Sequence, residues 1–458
     1  MKKMIAIILC IVFLFSLTAC VGESDISSDN ASANNSQIQN NNQAEGNTLS
    51  DTGENTAETK DPGNTDNAIE FLEKQFATLE KDDIKWDYNS STKTIVISGE
   101  GPMRDYLETA PDWDKYSAEA EHVVIGEKVT SVGAGAFYCF SALTDVDLGE
   151  AVEFIGDASF YYCTALRDVN FPANLKYVGE YAFNNDLLHS ENGFTFPEGM
   201  QYIGDGAFHS AFKENTVSIP ASLSVIGDDA FANTFVSAFA VDENNPEYAS
   251  VDGVLYDKSI STLINYPAEK RDTLFEIPDS VTTIRRNAIE VTNTLEKIAI
   301  PAGVTEIEEG SIFWNYALAH IDVDENNPSY KSEDGVLYTA DNKRLLSYPL
   351  ASERTEYTVL EGCERICDYA LSQASNLTEL HTNEGLEEIG SYSFYFCGSL
   401  AEARLPKSLK TVDDAAFQYC DALTRIDFAG SSSDWEHVEI KDNNELLTDG
   451  SVQIYCAE

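Results

Sequence analysis

Positive charge is scarce in this chain. Of its 458 residues only 29 are Lys or Arg, against 78 Asp or Glu, which leaves a formal net charge of -49. A phosphate backbone is held by clustered Lys and Arg, so nucleic acid is excluded as a partner. Electrostatic docking on an anionic membrane surface is excluded for the same reason. Histidine is scarcer still, with six residues, and no Cys/His or Ser/His/Asp arrangement is legible. The nine cysteines include no CxxC pair and no zinc spacing. Without Cys10 and Cys20 their number is odd, which does not make a dense disulfide framework. The sequence therefore reads as a non-enzyme without cofactor or metal. The carboxylates are too numerous for any pair to stand out, so a surface glycan hydrolase stays as the enzyme alternative.

Long apolar runs are missing too. The one at the start, Met4 to Leu17, is too short and wrongly flanked for a transmembrane helix. With Lys2 and Lys3 before it and small residues after it, it reads as a secretory signal over residues 1–19. The ending Leu17-Thr18-Ala19-Cys20 resembles the bacterial lipobox. That resemblance implies a diacylglyceryl group on Cys20, and two acyl chains suffice for stable anchoring. Residues 20–66 are rich in Asn, Ser, Thr, Asp and Glu. Such a segment buries too little apolar surface to offset its ordering entropy, so it is expected to be a disordered tether.

What the chain does have is repetition. VTSVGAGAFYCFSALTDVDLGEA (129–151) is followed by VEFIGDASFYYCTALRDVNFPAN (152–174), and further copies start at 175, 200, 223, 281, 304, 363, 386 and 409. A fixed period near 23 residues signals a solenoid. Apolar first and fourth places (Val129 and Val132, Leu386 and Ile389) suit a short inward-facing strand. Gly then marks a tight turn or a close approach (Gly133, Gly156, Gly179, Gly204, Gly227, Gly390). Next comes a Phe expected to stack from coil to coil: Phe137, Phe160, Phe183, Phe208, Phe231, Phe394 and Phe417. A second strand, Leu-x-x-Val-x-Leu, often ends at Pro, which has no N–H to donate. The copies at 281, 304 and 363 depart from this pattern (Arg285 and Ile289, Glu308 and Ile312, Cys367 and Leu371), so a less regular column is expected there. The two longest units carry near-duplicates, NNPEYASVDGVLYDKSISTLINYP (244–267) and NNPSYKSEDGVLYTADNKRLLSYP (326–349). Asp-Gly between β-favourable segments predicts a hairpin in each.

The unit LEEIGSYSFYFCGSLAEARLPKS and the NNPxYxSxDGVLY insert resemble the BspA-like leucine-rich repeat family of bacterial surface proteins. WDYNSSTKTIVISGEGPMRDY (86–106) with Trp113 resembles that family's N-terminal β cap, and FAGSSSDWEHVEI (428–440) its C-terminal ending. The resemblance implies a leucine-rich repeat solenoid, β-rich, with a parallel sheet on one face. It also implies surface display and, in some members, adhesion to host matrix proteins or other cells. About ten stacked units are expected, two enlarged by hairpin inserts. The expected layout is a short helix and β cap at 67–128, the solenoid at 129–428 and a C-terminal cap at 429–458.

Two local motifs invite chemistry. In DVDENNPSYKSE (322–333), Asp322, Asp324, Asn326 and Glu333 take EF-hand-like places, but Asn327 stands where Gly is needed and Pro328 follows. A hairpin-entry turn built on Asn and Pro is the expected reading. Cys163, Cys397 and Cys420 recur three residues after the column Phe and read as small inward-facing hydrophobes.

The expected functional surface is the outward side of the second-strand sheet. Alternation places Asp145, Asp147, Asp168, Asn170, Thr216, Ser218, Lys297, His320, Asp322, Glu379, His381, Glu402, Arg404, Arg425 and Asp427 there. At about 4.8 Å per coil, about a dozen coils give a face roughly 55 Å long. Such a face suits a protein or glycan on a host, a neighbouring cell or the cell wall. An envelope spacer without specific ligand is the alternative from a different class. The membrane enters only through the lipid.

Overall fold

The computed structural model of the protein describes residues 82–457 except 187 and 189–193, all within the compact unit Gly63–Glu458. The signal sequence, Cys20, the tether and the first part of the 67–128 segment with its expected helix lie outside the described residues.

Each repeat closes one coil, and the coils stack with their strands parallel. About 13 turns of about 23 residues result. This exceeds ten because the caps and inserts supply turns as well. Two strand columns run along the stack. The first column holds strands such as Val129–Val132, Phe154–Ile155, Tyr177–Val178 and Tyr202–Ile203. The second holds strands such as Asp145–Asp147 and Asp168–Asn170. Backbone groups left open by one coil are filled by its neighbour. The Gly156 N–H donates to the Val132 carbonyl at 2.9 Å and that of Gly179 to Ile155 at 2.8 Å. No coil could bury its apolar side alone, and stacking makes each coil the lid of the last.

The recurring Gly serves close approach. A Cβ at Gly156 would lie 2.6 Å from the Ala134 nitrogen, and one at Gly204 2.6 Å from the Glu180 nitrogen. The left-handed turn falls two residues later and is made by whatever stands there: Ala158 at φ 50°, Tyr181 at 54°, Asp229 at 58°. Where the Gly recurs, the repeat thus spends it on contact and tolerates strain at a variable place.

The Phe column forms as expected. Phe137, Phe160, Phe183, Phe208 and Phe231 stack at 5.3, 5.2, 5.4 and 6.1 Å between centroids, with planes within 10° of parallel. Trp113 closes its N-terminal end, its Nε1 donating to the Ala136 carbonyl at 2.9 Å and its ring 5.9 Å from Phe137. At the other end Phe394 and Phe417 stack at 5.0 Å, and the Asn444 side-chain carbonyl accepts from the Phe417 N–H at 3.0 Å. In the irregular middle, Ile289, Ile312 and Leu371 fill the column and stay buried. There the backbone pairs as an extra sheet, Ile289–Glu290 against Ile312–Phe313, in keeping with β-branched residues.

Both inserts are hairpins with two-residue turns. Val251 faces Val254 and Glu333 faces Val336. Asp252 and Gly253 (φ 49° and 81°) and Asp334 and Gly335 (φ 52° and 83°) are both left-handed, as a type I′ turn demands. Each insert also caps the stack. Tyr248 Oη accepts from the Ile226 N–H at 2.8 Å and Tyr330 Oη from the Ile307 N–H at 2.7 Å, where another first-column strand would otherwise sit. The turn tips end the second column: the Gly253 carbonyl accepts from Phe239 at 2.8 Å and that of Gly335 from Ile321 at 3.1 Å.

The duplicated Asn-Asn-Pro is explained by its second Asn. Asn327 is buried; its Nδ2 donates to the Pro301 and Val304 carbonyls, and its Oδ1 accepts from the Ser329 and Tyr330 N–H groups. Asn245 makes the same set with Pro220, Leu223, Glu247 and Tyr248. Asp324 Oδ1 accepts from the Asn326 N–H at 2.8 Å. The DVDENNPSYKSE stretch is therefore the hairpin-entry turn.

Across each insert the coils are clasped by charge. Asp228 meets Arg285, and Glu309 meets Arg344 and Arg365. Among the described residues no helix is long and apolar enough to cross a membrane.

Candidate functional site

Alternation in the second column works as the sequence implies. Val146, Ile298, Ile321, Leu380, Ala403 and Ile426 point inward and are buried. None of the outward residues named above is buried. Asp147, Asp168, Asn170, Lys297, His320, Arg404 and Arg425 are exposed, and Asp145, Glu379 and His381 partly so.

They do not form one strip, however. The second column is divided into four separate sheets, and two of the three breaks fall where the Asp-Gly tips of the inserts take up its hydrogen-bonding edge at Phe239 and Ile321. The single face of roughly 55 Å is corrected to shorter blocks. Asp145, Asp147, Asp168 and Asn170 are brought together in the first block, in rows His122–Asp145–Asp168 and Val124–Asp147–Asn170. Thr216 and Ser218 lie in the second. Lys297, His320 and Asp322 share the third. Glu379, His381, Glu402, Arg404, Arg425 and Asp427 share the fourth, with rows Glu356–Glu379–Glu402–Arg425 and Thr358–His381–Arg404–Asp427.

The blocks differ in charge. In the first, His122 Nδ1 lies 2.6 Å from Asp145 Oδ2. Asp147 and Asp168 meet no cation among the described ion pairs. In the third, Lys297 pairs with Asp322. In the fourth, Arg425 pairs with Asp427 at 2.9 Å and lies over the Tyr455 ring at 4.8 Å. Asp427 beside it holds the Arg425 guanidinium above its ordinary pKa.

Two residues of this surface escaped the sequence reading, His122 and Glu356. Each stands 23 residues before a named one, opposite Asp145 and Glu379, so counting the period backwards finds both. A row of rings was also missed, on the first column: Phe154, Tyr177 and Tyr202 stack at 4.3 and 4.4 Å. Tyr177 and Tyr202 are only 5% and 7% exposed, because the rings cover each other's faces.

A concavity also lies beside the first insert. Its volume is about 200 Å³ and its lining includes Asp228, Asp229, Asn265, Arg285 and Glu308. Its carboxylates are engaged by the protein. Asp228 meets Arg285, Asp229 Oδ1 accepts from Asn287 Nδ2 at 2.6 Å, and Glu308 Oε2 accepts from the Arg286 N–H at 2.8 Å. Glu290 is buried, accepts from the Asn233 N–H, and is pushed up to about 8 by that burial.

The three recurring cysteines are inward and free. Cys163, Cys397 and Cys420 donate to the carbonyls of Phe137, Leu371 and Phe394 at 3.2, 3.1 and 3.1 Å. Burial raises all three thiols above their ordinary pKa, the reverse of what a nucleophile needs.

Comparison with known proteins agrees with this architecture. A leucine-rich repeat protein from Eubacterium ventriosum ATCC 27560 is similar in fold at 23% identity and a TM-score of 0.51, covering 76% of this chain and 82% of that one. A leucine rich cell surface protein from Faecalibacterium prausnitzii A2-165 is 21% identical with a TM-score of 0.46, covering 79% and 97%. No curated protein matches this chain. The model of the BspA type leucine rich repeat region matches in six copies over residues 115–237, 270–334 and 351–442. Its gaps, 238–269 and 335–350, fall on the hairpin inserts. A match over more than half of the chain places this protein in the BspA type leucine rich repeat family.

Proposed function

We propose that this chain is a lipid-tethered protein displayed on a bacterial cell surface, and that the first block of its second column binds a protein or glycan in an adhesion-type contact. One observation carries the reading: Asp145, Asp147 and Asp168 share one outward patch, and among the described ion pairs Asp147 and Asp168 meet no Lys or Arg. Exposed carboxylates on a rigid parallel sheet suit a basic partner region or one bridged by cations. Solenoids commonly bind along such faces, and membership of a repeat family favours binding over catalysis. The lipobox-like Leu17-Thr18-Ala19-Cys20 supports the anchor, and the polar segment after it supports a tether that holds the array away from the membrane.

The spacer reading draws on a different observation. In the third block Lys297 is paired within the face with Asp322, and in the fourth Arg425 is paired with Asp427. The test is a pull-down against host matrix proteins and cell-wall glycans, using Asp145→Lys with Asp147→Lys and Asp168→Lys. The comparison set is Glu45→Lys with Asp51→Lys and Glu54→Lys on the tether. Loss of capture in the first set alone, with wild-type capture weakening as salt rises, is the expected result. Equal effects in both sets, or none, would put the spacer ahead.

A further inference from the structure

We propose that Glu356, Glu379 and His381, on the outward side of the fourth block, form a binding site for a divalent transition-metal ion such as zinc. Metal binding there is independent of whether the first block meets a macromolecule.

The three side chains come from two adjacent parallel strands, Glu356–Thr358 and Glu379–His381, with Glu356 opposite Glu379 and Thr358 opposite His381. One ligand atom from each residue lies within 4.8 Å of the others, and His381 Nε2 is 3.4 Å from a Glu379 carboxylate oxygen. With bonds of about 2.1 Å, tetrahedral donors stand roughly 3.4 Å apart. Closing the trio therefore takes rotation of glutamate side chains and no backbone movement. The backbone is already pinned. Between the ligands, Leu380 is buried in the core and Tyr357 Oη is 2.5 Å from Tyr338 Oη.

The donor set selects the ion. One imidazole nitrogen and two carboxylate oxygens suit zinc and its neighbours, whereas calcium takes an all-oxygen shell. Three protein donors leave further positions for water or for a donor from another molecule.

Charge points the same way, independently of the ligand spacing. Elsewhere in the stack, carboxylates of one coil meet a cation of the next: Lys93 with Glu121, Lys176 with Glu153, Lys343 with Glu364, Lys410 with Glu387. Glu356 and Glu379 instead face each other, and Glu402 continues their row before Arg425 is reached. Among the described ion pairs neither Glu356 nor Glu379 meets a Lys or Arg. Like charges directly opposite destabilise a sheet, and a divalent cation between them removes that cost. Arg404, beside His381 in the next coil, bounds the site on its C-terminal side.

The experiment is a zinc titration by calorimetry of the untagged full chain and of His381→Ala, Glu356→Gln and His122→Ala. His122 is the control, being a second-column His that faces a single Asp. Wild type and His122→Ala should bind one ion with the same affinity. His381→Ala and Glu356→Gln should each weaken that event by at least about tenfold. Both changes lie on the outward face, so far-UV circular dichroism in chelator should match wild type, and the Glu356→Gln melting midpoint in chelator should equal or exceed it because a like-charge contact is gone. The proposal is overturned if wild type takes up no zinc in a micromolar titration. It is equally overturned if folded His381→Ala binds as tightly as wild type.

Discussion

Replacing Phe160 with Ala tests whether the aromatic column holds the stack. The ring is 0% exposed and lies between Phe137 at 5.3 Å and Phe183 at 5.2 Å, nearly parallel to both. Emptying a buried aromatic site costs about 3–5 kcal/mol, made up of lost transfer energy and the cavity left behind. Each ring contact adds about 0.5–1.5 kcal/mol beyond area burial, and both flanking contacts go at once, so we predict the upper half of that range. Relaxation is restricted because the cavity floor and roof belong to neighbouring coils fixed by backbone bonds, such as Phe160 N–H to the Ala182 carbonyl at 2.9 Å. With a urea slope of about 3 kcal/mol per molar, a loss of about 4 kcal/mol moves the midpoint down by roughly 1.3 M. Tryptophan fluorescence reads this directly, since Trp113 caps the same column against Phe137. Phe160→Leu conserves most of the volume and should cost less than about 1.5 kcal/mol. A Phe160→Ala midpoint equal to wild type would refute the column as a source of stability.

Gly335→Val should destabilise the chain by about 1–3 kcal/mol, since φ is 83° there and the new Cβ would lie 2.9 Å from His320 Nδ1; thermal melting checks it, and added calcium should leave the midpoint in place because Asp324 is engaged in a turn. Glu290→Gln should gain on wild type as pH rises. The folded carboxyl titrates near 8 and the unfolded one near 4.5, so across that window wild type loses up to about 1.4 kcal/mol per pH unit that the amide does not, and urea titrations at pH 5 and 8 read the difference. Cys20→Ala should abolish incorporation of labelled palmitate into the expressed protein; equal labelling of both forms would remove the anchor.

Much of this architecture was legible in the residues because its causes are local or periodic. The column Phe, the inward apolar places and the Asp-Gly hairpins each depend on a spacing that the chain writes out many times. The inward Cys163, Cys397 and Cys420 could be read for the same reason. The sequence also narrowed the recurring Gly to a turn or a close approach. Only the stacked coils decided for the approach, since the 2.6 Å clash at Gly156 comes from a residue of the preceding coil.

Tertiary structure alone decided which surface residues meet. Alternation sends Asp145, His320 and Arg425 to the same side, yet sidedness says nothing about continuity along the stack. The path of the inserts broke the second column in two places, because the Gly253 and Gly335 carbonyls fill hydrogen-bonding places that another strand would have used. Register between coils then set the neighbours, placing His122 on Asp145 and Glu356 on Glu379. The sequence by itself determined the unit and its inward face, since burial of apolar side chains follows a short period. The outward chemistry needed the structure, since a contact between coils depends on every residue inserted between them.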